Sequence, residues 1–165
     1  MSSKLRAGDI LLYRGTGFVN KLIKFGTRSV YSHCAVCINP DTHILIEATT
    51  GLVRASDIRK TCDYDVYRVK EKYPYDLNKV VSYLVSTLNS KYDYLGVVYL
   101  GALKLLNRIG LPIKKHINKF QKDRDYFCSE LVCKAFNYGG VTICKFAGVA
   151  SPKDIVTSNR IEVVK

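Results

Sequence analysis

Ser32-His33-Cys34-Ala35-Val36-Cys37-Ile38, Asn39-Pro40-Asp41-Thr42 and Ile44-Leu45-Ile46-Glu47-Ala48-Thr49 together form the stretch that decides the fold. Two short apolar runs flank a cluster of turn formers, which is the pattern of a β-hairpin. A carboxylate between Ile46 and Ala48 is out of place on a merely solvated strand, and a histidine opens the partner strand. If Ile38 pairs with Thr42 across a three-residue loop, His33 falls directly opposite Glu47. Opposed residues hold their Cβ atoms about 4.5–5.5 Å apart on one face, close enough for Glu47 to orient the imidazole. A four-residue loop instead turns Glu47 to the other face and removes the contact.

Working outward, Gly-Asp-Ile-Leu-Leu-Tyr at 8–13 reads as a buried strand leaving a turn, and the alternation at 64–69 gives another. Short helical spacing shows at Val19, Leu22 and Ile23. Asp76 is a fair N-cap for a helix of about 13 residues with Val80, Val81, Leu84, Val85 and Leu88 on one face. A second helical stretch covers 94–107, and a basic connector covers 108–124. A third helix opens at Tyr126-Phe127-Cys128-Ser129-Glu130 and stops at Gly139-Gly140. Ser151-Pro152-Lys153-Asp154 starts one more helical turn, and 161–164 is a last strand. Strands followed by helices, with little alternation between them, make the chain α+β. With 165 residues and no repeat or Gly/Ser/Pro-rich linker, residues 1–165 are expected to form a single domain.

The composition narrows the function classes. Hydrophobic residues make up 47% and charged residues 24%, which is globular and not disordered. Lys and Arg number 26 against 14 Asp and Glu, and the net charge of +12 favours anionic partners. The first nine residues lack the apolar stretch of a signal peptide. The six cysteines are therefore expected as free thiols in a reducing compartment. No apolar run reaches the roughly 18 residues of a membrane-spanning helix.

Three residues carry candidate chemistry. Cys128 sits where the third helix begins, and unpaired N–H groups with the partial positive charge there favour thiolate over thiol. The N–H groups of Cys128 and Ser129 are placed to hold an oxyanion. A thiol nucleophile needs a base. Of the three histidines, His116 lies in the basic connector and His43 borders the turn, which leaves His33. Glu47 supplies the orienting carboxylate. Cys34-Ala-Val-Cys37 is not a metal grip, because residues three apart on a strand face opposite ways. No phosphate-binding glycine loop occurs, and no metal or cofactor is expected. The apolar 95–106 segment beside Lys104, Arg108, Lys114, Lys115 and Lys119 suits an anionic membrane surface. Nucleic acid is not expected as a partner, because no recognised binding motif appears.

The order of these residues is His, acid, Cys, whereas papain-type enzymes place Cys first. The chain resembles the permuted branch of the NlpC-like superfamily, which includes the bacterial YiiX-like proteins, the lecithin:retinol acyltransferase-like proteins and a small poxvirus protein. The likeness rests on Leu5-Arg-Ala-Gly-Asp-Ile-Leu-Leu-Tyr13, Tyr31-Ser-His-Cys-Ala-Val36, Leu45-Ile-Glu-Ala48, Lys91-Tyr-Asp-Tyr-Leu-Gly96, Tyr126-Phe-Cys-Ser-Glu-Leu-Val132 and Ser151-Pro-Lys-Asp154. It implies a permuted papain-like fold, a small antiparallel sheet or partial barrel packed against helices. His33, Glu47 and Cys128 match its catalytic positions. It further implies a cysteine hydrolase or acyltransferase working on an ester or amide, in the host cytoplasm for a viral member. An acyl-lipid is the substrate that the basic, apolar-edged segment favours. An amidase or peptidase, and a silent module that binds a host protein, membrane or nucleic acid, stand as alternatives.

Overall fold

The structure, a computed structural model, describes residues 5–15, 24–25, 28–49, 51–58, 63–92 and 125–164. Eight strands and three α-helices follow one another through these residues. The strands are β1 (Ile10–Tyr13), β2 (His33–Asn39), β3 (Ile44–Ala48), β4 (Val53–Asp57), β5 (Tyr64–Val69), β6 (Lys91–Tyr92), β7 (Asp125–Tyr126) and β8 (Ile161–Val163). The helices are α1 (Leu77–Ser86), α2 (Cys128–Tyr138) and α3 (Pro152–Val156), with a 3₁₀ turn at Ala147–Val149. Six strands form one antiparallel sheet in the order β4-β3-β2-β1-β5-β8, and β6 and β7 make a short parallel pair. The chain is α+β, as its sequence pattern predicts.

β1 reads Ile-Leu-Leu-Tyr without alternation because both of its faces are covered. Ile10 and Leu12 join the larger core with Cys34, Val36 and Ile46, against Leu131 and Phe136 of α2 and Val80 and Leu84 of α1. Leu11 and Tyr13 join a smaller cluster with Ala35, Cys37, Leu45 and Ile58 on the other face. Cys34 and Cys37 thus lie in different clusters, as their spacing on a strand requires. Below β1, Asp9 is buried and receives a two-pronged bond from Arg68, at 2.6 and 2.7 Å.

Asp76 caps α1 by accepting from the Lys79 N–H, and Val80 and Leu84 are its buried residues. Val85, expected on that face, is 47% exposed. Among the described residues the helix that α1 packs against is α2. α2 ends at Gly139, and Gly140 takes φ +98°, a conformation that glycine adopts freely, so that the Val141 N–H returns to the Phe136 carbonyl. Ser151 and Asp154 form a capping box on α3, with Pro152 in the first turn. Strand β4 has no counterpart in the sequence reading: Val-Arg-Ala-Ser-Asp buries only its first residue fully. The expected helical segments at 19–25 and 94–107 and the basic connector, with Lys104, Arg108, Lys114, Lys115, Lys119 and His116, lie wholly or mostly outside the described residues.

Phe136 is the largest fully buried side chain and joins α2 to the main core. Phe136→Ala is expected to lower unfolding free energy by about 3–5 kcal/mol, measured by urea denaturation; a loss below about 1 kcal/mol contradicts this packing.

Candidate functional site

The hairpin that carries His33 and Glu47 is built differently from the simplest reading of its sequence. Four residues, 40–43, separate β2 from β3. The Asn39 side chain accepts from the N–H groups of Asp41 and Thr42, and His43 turns the chain through φ +59°. Asn39 pairs with Ile44, a register that continued unbroken would set Glu47 beside Val36, on the face away from His33. A bulge at Ile38 corrects this. Beyond it Cys37 pairs with Leu45 and Val36 with Ile46, a register that places Glu47 beside Ala35. Glu47 is therefore diagonal to His33 on the same face and not directly opposite it. A diagonal neighbour is within reach of a long side chain, and His33 Nε2–H donates to Glu47 Oε2 at 2.7 Å.

Glu47 Oε1 is also occupied. It accepts from Ser56 Oγ–H at 2.6 Å and from two Arg54 nitrogens at 3.3 Å. The unforeseen strand β4 supplies both donors, because Arg54 is the direct partner of Glu47 and Ser56 lies two residues along on the same face. The only foreshadowing was a Ser and an Arg two apart in a short polar run. The Glu47 side chain is 9% exposed. Burial raises its pKa, but the His33 bond, Ser56 and Arg54 outweigh burial and hold it down at about 2. Tyr13 lies against the imidazole with ring centroids 5.6 Å apart, fixing the ring from the β1 side.

Cys128 is the first residue of α2, 5% exposed, behind an N-cap, Phe127, that has no side chain to satisfy the helix amides. Its thiol hydrogen-bonds His33. Nε2 is taken by Glu47, so Nδ1 is the nitrogen left for the sulfur. Burial pulls His33 down, yet the hydrogen bonds to Cys128 and Glu47 push it up to about 10. Cys128 moves the other way, well below the ordinary thiol range: the Cys34 thiol bond is the largest cause, burial opposes it, and His33 adds to it. The two groups are thus drawn in opposite directions, the sulfur toward thiolate and the imidazole toward imidazolium. Ser129 is fully buried, and its hydroxyl is committed to the Ala150 carbonyl at 2.7 Å, so only its backbone N–H is available to a ligand. Glu130, in the same turn, pairs with Lys134 at 2.9 Å. His43 is exposed at the far end of the hairpin and takes no part.

The fold resembles the crystal structure of metalloprotein YiiX from Escherichia coli O157:H7, with a TM-score of 0.69, 17% identity, and coverage of 98% of this chain and 97% of that one. No protein-family model and no curated protein sequence matches the chain. Among the described residues no group of three or more His, Cys, Asp or Glu side chains is placed to hold a metal ion, and no helix is long and apolar enough to cross a membrane.

Glu47 favours the charged form of His33, and that charge favours the thiolate. Removing Glu47 therefore lowers the His33 pKa and raises that of Cys128. Alkylation of Cys128 by iodoacetamide should stay fast far below the roughly 8.5 of a free thiol. Glu47→Ala should move the acid limb of that profile upward by about one unit. Superimposable profiles contradict the coupling.

Proposed function

We propose that the protein is a cysteine-nucleophile hydrolase or acyltransferase acting on an ester or amide through an acyl-enzyme. The observation that carries this is the chain of contacts from the uncapped α2 N-terminus through Cys128 and His33 to Glu47. Cys128 Sγ attacks the carbonyl carbon as thiolate. The developing oxyanion is held by the Cys128 N–H, with that of Ser129 beside it, both preorganised by the helix. Imidazolium His33 gives its proton to the departing alcohol or amine, leaving a thioester. His33, now neutral, takes a proton from water or a second acceptor as that attacks the thioester, and Cys128 departs as thiolate. Glu47 is a positioning residue that keeps the imidazole turned and its charge steady.

The same proposal includes the permuted papain arrangement, the order His33, Glu47, Cys128 being its signature, and membership of the NlpC-like branch that holds YiiX-like proteins and a small poxvirus protein. The sequence motifs and the full-length structural likeness to YiiX support it. An acyl-lipid is the substrate favoured by the net charge of +12 and by the apolar and basic residues at 95–119, which also suit peripheral contact with an anionic membrane.

A panel of fluorogenic acyl esters and amides, with trapping of the thioester by mass spectrometry, tests this. Wild-type protein should carry the acyl group on Cys128 and turn over, Cys128→Ala should carry none, and His33→Ala should lose about 10²- to 10⁴-fold in rate. Equal labelling of wild type and Cys128→Ala contradicts a Cys128 nucleophile.

A further inference from the structure

Four of the five described cysteines, Cys34, Cys128, Cys133 and Cys144, gather in the larger core, with Cys34 next to Cys128 and Cys133 next to Cys144. The placement of Cys34 follows from the sheet. The Cys37 N–H and carbonyl face β1, where they meet the Asp9 carbonyl and the Gly8 N–H. Alternation then turns the N–H of Cys34 toward β3. The β2–β3 ladder stops at Val36 and Ile46, so at Cys34 no strand is paired on that side. α2 packs across β2 and β3, and both the backbone N–H and the thiol of Cys34 reach Cys128 Sγ.

We propose that Cys34 is the resolving thiol of Cys128, so that a hydroperoxide converts the pair into a reversible Cys34–Cys128 disulfide that closes the site. The proposal rests on the reactive thiolate of the functional reading and on none of its substrates. In the first step Cys128 thiolate attacks the peroxide, the O–O bond breaks, and Cys128 sulfenic acid and hydroxide (or alkoxide) form. In the second, the Cys34 sulfur attacks the Cys128 sulfur, the S–O bond breaks, and the proton of Cys34 leaves with the hydroxyl as water. Each disulfide formed consumes one peroxide, the oxidant. The order is built in. At rest Cys34 is held protonated, its pKa raised by burial and by the hydrogen bond it gives Cys128. Oxidation to neutral sulfenic acid removes the anion that held the Cys34 proton, which then leaves with the departing hydroxyl. Cys133 and Cys144 form an internal control. Contact with Cys144, then burial, raise the Cys133 thiol, and among the described residues no cation acts to lower it. A thiol of that kind reacts poorly with peroxide.

The test uses the full chain, reduced and then treated with a several-fold molar excess of hydrogen peroxide, followed by peptide mapping without reductant. The expected product is a peptide linking Cys34 to Cys128, cleaved by dithiothreitol, with iodoacetamide labelling of Cys128 blocked before reduction and restored after it. In Cys34→Ser, and in Cys34→Ala as the second variant, the link should be missing and Cys128 should progress to sulfinic acid that dithiothreitol does not reverse. The wild-type result stands without either variant, so misfolding of one leaves the outcome decidable. Sulfinic acid on wild-type Cys128 with no cross-link, or a disulfide formed instead between Cys133 and Cys144, overturns the proposal. A cross-link formed by a protein that never acylates would sink the hydrolase reading and leave this one standing. Acylation without any cross-link would do the reverse.

Discussion

The hydrogen bond from His33 to Glu47, made across the end of a hairpin where β2 and β3 have ceased to pair, is the constraint on which the site depends. A carboxylate that is 9% exposed must be compensated, and here His33, Ser56 and Arg54 share the task. Their convergence demands one register. A slip of a single residue would bury Glu47 among the apolar side chains of the opposite face. The bulge at Ile38 is thus part of the site although it lies five residues from the imidazole. The charge it places beside His33 favours the imidazolium, which in turn draws Cys128 toward thiolate.

The opening between β2 and β3 has a second consequence. Antiparallel strands that stay paired present no amide to a ligand, whereas a ladder that ends early frees one per alternate residue. At Cys34 that amide and its thiol both turn to Cys128, so a thiolate there is favoured from the sheet as well as by the helix dipole and the imidazole. α2 is held in place to receive this by Phe136 and Leu131 in the core and by Ser129 bonding Ala150. The helix is short, and its first turn is buried from Cys128 through Leu131, so the sulfur has little freedom to move from its partners.

Much of this was legible in the chain. The hairpin, the N-cap at Asp76, the Cys128 helix start, the Gly139-Gly140 stop and the capping box at Ser151 follow from local chemistry and stand where the sequence puts them. That His33 and Glu47 share a face was legible too, but their alignment was not. A four-residue loop and a bulge cancel in parity, and neither leaves a mark stronger than Asn39-Pro40. β4 was hidden because an edge strand with one buried face need not look apolar, and with it went Arg54 and Ser56. The contact between Cys34 and Cys128 joins residues 94 positions apart and could come only from the packing of α2 on the sheet. Cys37, three residues on from Cys34, lies on the other face, as its spacing on a strand requires.

The central claim is that Cys128 and His33 rest as thiolate and imidazolium, held so by Glu47. Nitrogen-15 NMR of the three histidines, followed from pH 5 to about 11 in wild type and in Cys128→Ala, measures it directly. One imidazole, assigned to His33 by its loss in His33→Asn, should remain doubly protonated at pH 8 and titrate near 10. In Cys128→Ala its titration should fall by at least one unit. A His33 that is neutral at pH 7.5 in the wild-type protein, or one whose titration ignores the loss of the thiol, contradicts the account.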